Sequence, residues 1–291
     1  MQNIMGFIRI ISPGVYTSLQ DSGRPGMAFY AIPRSGALDQ RSASLANTLV
    51  GNPPGTACLE MNYVSATLEF SKPAHIAVTG ADMDFRLDGF AIPLNERITV
   101  PEGGRLSGGS ARGLSRAYLA IKGKTDADSY YGSFASCMSS GLGLNGGKPF
   151  RKGMEIPWQF LNSTEEIFQT GITKESISDG SKINISKGPE FDFMSPDSIK
   201  SLFSEEFKLH RDANRMGAGL SGPKLRLEKH LKKSVPILPG FIQLTPAGQL
   251  IVILMEGQTT GGYPRIAYIK AAELYAFNQI PLGKAFTFKL Q

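Results

Sequence analysis

Cysteine, histidine and tryptophan are scarce here: two, three and one in 291 residues. Cys58 and Cys137 lie far apart, with no short metal-type spacing, which excludes a disulfide framework and a zinc motif. His75, His210 and His230 are equally scattered, so no metal site is expected. Long apolar runs are missing as well. The most apolar stretch, Leu250-Ile251-Val252-Ile253-Leu254-Met255, is too short to span a bilayer and reads as a strand buried on both faces. The opening segment, Met1 to Ile11, is broken by Arg9 and has no small-residue cleavage site, so it does not read as a signal peptide. Charge of one sign is not concentrated either, the net +6 being spread along the chain. Lys224-Leu225-Arg226-Leu227 and Lys229 to Lys233 form a basic segment without interleaved aromatics, which favours a solvated face over a nucleic-acid surface. These shortages predict a cytoplasmic, metal-free protein that engages neither membrane nor nucleic acid.

Glycine and proline are plentiful, at 33 and 18. Many turns between short strands would require them. Hydrophobic residues at 41% and charged residues at 19% describe an ordinary globular chain with ample core. Strands are expected at Thr67–Phe70, Ile76–Thr79, Phe85–Leu87, Arg97–Val100, Arg105–Gly108 and Ala117–Ile121, a barrel or sandwich texture. Ile8–Ile11 and Val15–Leu19, flanking Pro13-Gly14, read as a strand pair. One helix follows Ile32–Asp39, with Leu38, Leu45 and Leu49 on one face and Gly51-Asn52-Pro53-Pro54 as its stop. Later, Ile183–Ile185 reads as a strand, and Ser195-Pro196-Asp197 opens a helix through Phe203. The polar stretch Asn162 to Asp179 reads as a linker. Two domains are therefore expected, over 1–160 and over 161–291 with the linker included.

Two nucleotide-type patterns fail on context. Gly141-Leu142-Gly143-Leu144-Asn145-Gly146 matches a dinucleotide fingerprint, but it follows no clear strand and Lys148-Pro149 is a poor helix opening. Gly123-Lys124-Thr125 has Tyr118 where a phosphate-binding loop needs glycine. A more promising loop is Glu256-Gly257-Gln258-Thr259-Thr260-Gly261-Gly262-Tyr263-Pro264, between the apolar run and the strand-like Arg265–Ile269. Gly261 and Gly262 can adopt positive φ or admit a close approach, while Gln258, Thr259 and Thr260 can orient a carboxylate, amide or phosphoryl oxygen. From these residues alone, a tight strand connection whose polar side chains cap their own turn is the preferred reading. A weak internal echo links Asp21-Ser22-Gly23-Arg24-Pro25-Gly26 to Asp212-Ala213-Asn214-Arg215-Met216-Gly217.

Four stretches in order, Gln20–Gly26, Pro33–Asp39, Asn214–Gly217 and Gln258–Pro264, resemble one family, with Thr79–Asp82 and Pro239–Gln243 in support. The chain resembles the family of the 5-oxoprolinase C subunit, also called the biotin-dependent carboxyltransferase or allophanate-hydrolase-subunit-2 family. The likeness runs from about Val15 to Pro281. It implies a mainly β fold with two cyclophilin-like β-barrel domains and a few short helices. It also implies two partners, a B subunit from the family of a sporulation-kinase inhibitor and a further A subunit. Together these open the lactam of 5-oxoproline to glutamate using ATP with Mg²⁺.

On that resemblance Arg24, Arg34 and Arg215 are candidates for gripping phosphate or a carboxylate. Gln258, Thr259, Thr260, Gly261, Gly262, Tyr263 and Gln243 would orient substrate oxygens. Asp21 and Asp39 could orient an arginine, hold Mg²⁺ or act as a base, or simply cap a loop or helix. The catalytic set is thus Asp21, Arg24, Asp39, Arg215 and Gln258. For Ser35 a helix-capping role is preferred to a nucleophilic one, because no base stands near it in sequence. Asn214 replaces a usual Asp, and Glu256-Gly257 replaces a usual Asp and polar residue. Tyr30-Ala31 and Lys148 depart similarly. A non-catalytic module that sequesters an inhibitor resembling the B subunit, or a urea-carboxylase-like carboxyltransferase component, are the alternatives.

Overall fold

The computed structural model describes residues 2–162, 180–231 and 233–291. Of the linker expected from Asn162 to Asp179, Asn162 ends the strand Glu155–Asn162 and the remainder lies outside the described residues. The chain divides into two compact units, one of Met1–Arg24 and Ser35–Ser176, the other of Pro25–Arg34 and Ile177–Gln291. The mainly β expectation holds, with three α-helices among the described residues.

In the first unit, seven strands form one sheet in the order Gly123–Thr125, Glu155–Asn162, Gln2–Ser12, Thr67–Phe70, Arg105–Ser107, Arg86–Leu87, Phe90–Ala91. Five more form a second, in the order Tyr16–Gln20, Cys58–Asn62, Arg112–Ile121, Ala74–Asp82, Arg97–Val100. Alternating apolar residues from both, among them Ile8, Leu59, Leu68, Ile76, Leu119, Ile156 and Trp158, share one core. The other face of the five-stranded sheet carries Cys58, Ala77, Tyr118 and Ala120, covered by Ala43, Ala46, Leu49 and Val50 of the helix Gln40–Val50. Cys58–Asn62 is consequently buried at every position. That burial pushes the Cys58 thiol far up from its ordinary value.

Ile8–Ile11 and Val15–Leu19 do not pair with each other. The former lies in a strand bonded to Glu155–Asn162 and Thr67–Phe70, the latter in one bonded to Cys58–Asn62. Pro13-Gly14 carries the chain from one sheet to the other, with Gly14 at φ 65 beside the carbonyls of Val64 and Ser65. Leu38 precedes the helix rather than joining its face.

In the second unit seven strands close into a barrel, in the order Lys182–Lys187, Arg265–Ile269, Phe241–Leu244, Leu250–Ile253, Gly217–Ser221, Phe207–Leu209, Ala285–Leu290. Ala285–Leu290 returns to Lys182–Lys187 in parallel, which removes the exposed edges an open sheet would leave. Ile242 lies opposite Val252 on one side and Ala267 on the other, and all three are buried, as are Ile183 and Ile266. Phe207, Phe277, Phe286 and Phe288 also pack together, with ring centroids 5.3 to 6.4 Å apart. Ser195 caps the helix Pro196–Ser204 by accepting from the Ser198 N–H, as the Ser-Pro-Asp sequence predicts. No helix among the described residues is long and apolar enough to cross a membrane.

Candidate functional site

The motif residues of the first unit converge on one segment, Tyr130–Ser136. Asp21 is buried, and its Oδ1 accepts from Gly23 N at 2.7 Å and Ser133 Oγ at 2.7 Å. Its Oδ2 accepts from Phe134 N at 2.7 Å. Arg24 is fully buried and donates to the carbonyls of Ala135 and Tyr130. The Ser136 carbonyl accepts from Ser35 Oγ at 2.7 Å and Gln20 Nε2 at 3.2 Å. Four side chains from the first two motifs thus hold a stretch more than a hundred residues downstream. Two guanidinium nitrogens of Arg24, Nε and Nη2, are thus held by carbonyl oxygens.

Ser35 is not the helix cap. It sits at φ 57, ahead of the helix, with its hydroxyl turned to Ser136. Asp39 is the cap, and its carboxylate accepts from Arg41 N, Ser42 N and Ser42 Oγ. The backbone leading into it rests on Glu60, whose Oε2 accepts from Leu38 N at 2.9 Å and Tyr118 Oη at 2.9 Å. Tyr118 Oη in turn accepts from Asp39 N at 2.8 Å. Burial first, then the neighbouring carboxylates, push the Tyr118 phenol well above its usual value, so it remains a donor. Glu60 and Tyr118 carry no signal in sequence, because each looks like an ordinary alternation within a strand.

The second unit holds the other group. After Leu250–Ile253 the chain turns through Glu256 and Gly257, where a Cβ on Gly257 would lie 2.8 Å from Met216 O. Arg215 Nε donates to Glu256 Oε1 at 2.5 Å, and Glu256 N donates to Arg215 O at 2.9 Å. Both side chains are buried. Thr260–Gly261 then pairs with Val235–Pro236, and Ile237 N donates to Thr259 O at 2.9 Å. This short strap seats Ile237 against Gly261: a Cβ there would lie 2.5 Å from Ile237 Cδ1, 3.1 Å from Gln258 Nε2 and 3.4 Å from Gln243 Nε2. Gly261 is therefore a close-approach glycine. Neither it nor Gly262 sits at positive φ, contrary to one of the two conformations open to them in sequence. Gln258, Thr260, Gly262 and Tyr263 are exposed, and Thr259 is half-buried.

Arg265 fixes the strap from below. Its Nε and Nη2 donate to Glu190 at 3.0 and 2.8 Å, its Nη1 donates to Pro236 O at 2.8 Å, and it lies over the Phe241 ring. Hydrogen bonding from Arg265 holds the Glu190 carboxyl below its usual range, and the same contact raises the arginine. Sequence reasoning missed the strap and Glu190. An arginine opening an apolar strand directly after Tyr263-Pro264 was the available signal.

Arg34 is exposed. Within the internal echo, Arg24 and Arg215 are both buried. The acids differ: Asp212 is solvent-exposed and paired with His210, 3.1 Å away, whereas Asp21 is buried. The Gly141–Gly146 pattern forms 3₁₀ turns between irregular segments, so the strand-to-helix context of a dinucleotide loop is missing, as expected. Among the described residues no group of three or more His, Cys, Asp or Glu is placed to hold a metal ion.

A family model for the carboxyltransferase domain, subdomains A and B, matches residues 30–290. The chain belongs to that family. The C subunit of 5-oxoprolinase from Escherichia coli K12 is 34% identical over 282 residues, covering 97% of this chain and 90% of that protein. The urea amidolyase of Saccharomyces cerevisiae is 32% identical over 304 residues, but this chain spans only 16% of it. Among solved structures, the urea amidolyase of K. lactis superposes with a TM-score of 0.87 at 28% identity, over 97% of this chain and 18% of that one. TTHA0988 superposes at 0.86 and 26% identity, over 97% and 55%. The carboxyltransferase-family match takes in all the second-unit residues described above.

Proposed function

We propose that this chain is the C subunit of an ATP-dependent 5-oxoprolinase, which opens the lactam of 5-oxoproline to glutamate together with its A and B subunits. The observation that carries this reading is one of length. The similarity to a 5-oxoprolinase C subunit extends over nearly all of both proteins, whereas the urea amidolyase similarity covers a small fraction of a much larger chain. The second-unit geometry is compatible with it. Gln258, Thr259 and Thr260 surround Gly261 on an exposed loop, and the buried Arg215 is fixed to the base of that loop by Glu256. Amide and hydroxyl groups can orient a lactam, and preorganised donors stabilise oxygen charge as the ring opens.

A lactam is a stable amide, and phosphoryl transfer from ATP to its oxygen would create a better leaving group. The described residues offer neither a standard phosphate loop nor an ion-holding carboxylate cluster. No nucleotide step is therefore placed on this chain, and the partners are proposed to supply ATP with Mg²⁺.

One observation favours a second reading, a non-catalytic module that captures a protein resembling the B subunit. Asp21, Arg24 and Ser35 spend hydrogen bonds on the Ser133–Ser136 segment of their own unit. The deciding experiment is ATP-dependent glutamate release from 5-oxoproline with this chain and its A and B subunits, leaving each out in turn. Activity that requires all three supports the lactamase. Tight capture of the B subunit without turnover overturns it in favour of the module.

A further inference from the structure

In the second unit, the strands Gly217–Ser221 and Leu250–Ile253 border a cleft of about 210 Å³. Gly219, Leu220, Leu250 and Ile251 supply its apolar lining, and His210, Asp212 and Gln249 supply its polar groups. None of these residues belongs to the signature loop or to the polar cluster of the first unit. A protein cavity of ~150 Å³ already admits benzene, so the space suits a single ring.

Gly219 is an unexpected residue for its place. It pairs with Ile251 inside a strand, where glycine weakens the sheet. Its φ is not positive, and among the described residues a Cβ there would meet only His210 Cβ, at an ordinary 3.6 Å. Two residues earlier, a Cβ on Gly217 would press to 3.3 Å from Val252 O. Neither backbone conformation nor a close neighbour requires glycine at 219. What its missing side chain leaves is the cleft, and a strand glycine often marks the close approach of a ligand.

The rim has a definite polarity. Asp212 Oδ2 lies 3.1 Å from His210 Nδ1, and the Asp212 N–H approaches the same nitrogen less closely, at 3.4 Å. A carboxylate oxygen that near would repel a nitrogen lone pair, so the shorter contact puts the proton on Nδ1. In the neutral ring Nε2 is then a hydrogen-bond acceptor. Lys208 and Arg211, both exposed, flank His210 in sequence and disfavour a cationic ligand, while Asp212 disfavours an anionic one. We propose that this cleft binds a neutral single-ring molecule bearing a hydroxyl or ring N–H. The ring rests against Leu220, Leu250 and Ile251, and its donor is accepted by His210 Nε2. The site stands independently of the lactamase reading.

The probe is phenol, with anisole as the same ring lacking the donor. Methyl NMR of the full chain at about pH 8, above the ordinary imidazole range, follows Leu220, Leu250 and Ile251. Phenol should shift these methyls saturably, and anisole should bind about 10-fold more weakly, as expected for one lost hydrogen bond. Gly219→Val should fill the cleft and weaken phenol at least about 10-fold without lowering the thermal unfolding midpoint, and Gly219→Ala should act the same way to a smaller extent. His210→Leu should bring phenol down to the anisole level, whereas His210→Gln, which keeps an acceptor, should retain part of the preference. Absent or unsaturable shifts, equal binding of phenol and anisole, or undiminished phenol binding by folded Gly219→Val overturns the proposal. A lowered unfolding midpoint in both glycine variants overturns it as well, because packing would then account for Gly219.

Discussion

Arg215 and Glu256 form a buried ion pair, Nε to Oε1 at 2.5 Å, and the backbones of the same two residues are also bonded. The pair joins the turn ahead of Gly217–Ser221 to the base of the signature loop. Removing one member strands the other charge in a low-dielectric setting. Glu256→Ala should therefore destabilise the protein by about 3–5 kcal/mol. Arg215→Met combined with Glu256→Leu should recover most of that stability. Urea unfolding of the three proteins checks both statements. Full stability of the double variant with abolished turnover in the complex would mark Arg215 as a group kept for function.

Gly261 and Gly262 are adjacent, yet the structure separates them sharply. A Cβ on Gly261 would displace Ile237 or the strap that carries it, whereas one on Gly262 enters open space. Gly261→Ala should cost about 1–3 kcal/mol and impair turnover through the displaced Gln258. Gly262→Ala should stay within about 0.5 kcal/mol of the parent. Thermal unfolding and steady-state kinetics of the two variants side by side would reveal any failure of this ordering.

Much of the strand architecture was legible from alternation and turn residues. Leu250–Ile253 and Arg265–Ile269 fall where the apolar runs predict. Glu155–Asn162 is hidden in sequence because Pro157 interrupts it, and Cys58–Asn62 because Glu60 and Asn62 disguise a strand buried on both faces. The helix Ala271–Asn278 starts at Lys270 without a side-chain cap and buries Leu274, Ala276 and Phe277, so neither start signal nor amphipathic stripe announces it. Motif spacing selects residues that the structure does gather, Asp21, Arg24 and Ser35 in one place and Gln243, Gln258 and Gly261 in another. What each side chain holds was not legible. Arg24 reaches the carbonyls of Tyr130 and Ala135, and such long-range pairings leave no local trace.

Glu190 gives the strap a dependence on acid. Its carboxyl is held below the ordinary range mainly by the Arg265 hydrogen bonds, so the folded state binds a proton less readily than the unfolded chain. The resulting stabilisation is present above the unfolded pKa of about 4.3 and is lost as pH falls through the lower folded value. Glu190→Gln should be less stable than the parent at pH 7, and the difference should shrink towards pH 3. Denaturation midpoints across that range test the sign. A gap that widens on acidification would contradict the assignment.

Asp21 separates a structural role from a catalytic one. Its carboxylate accepts from Gly23 N, Ser133 Oγ and Phe134 N within its own unit. Asp21→Ala leaves those donors unmatched in a buried setting, each at about 1–3 kcal/mol, so the loss of stability should be large. Asp21→Asn keeps one oxygen and should lose less. If the carboxylate only organises the Ser133–Ser136 segment, turnover of the Asn variant should fall in step with its folded fraction and recover when the temperature is lowered. A folded, fully assembled Asp21→Asn complex that is inactive at every temperature would show that the charge itself takes part in the reaction.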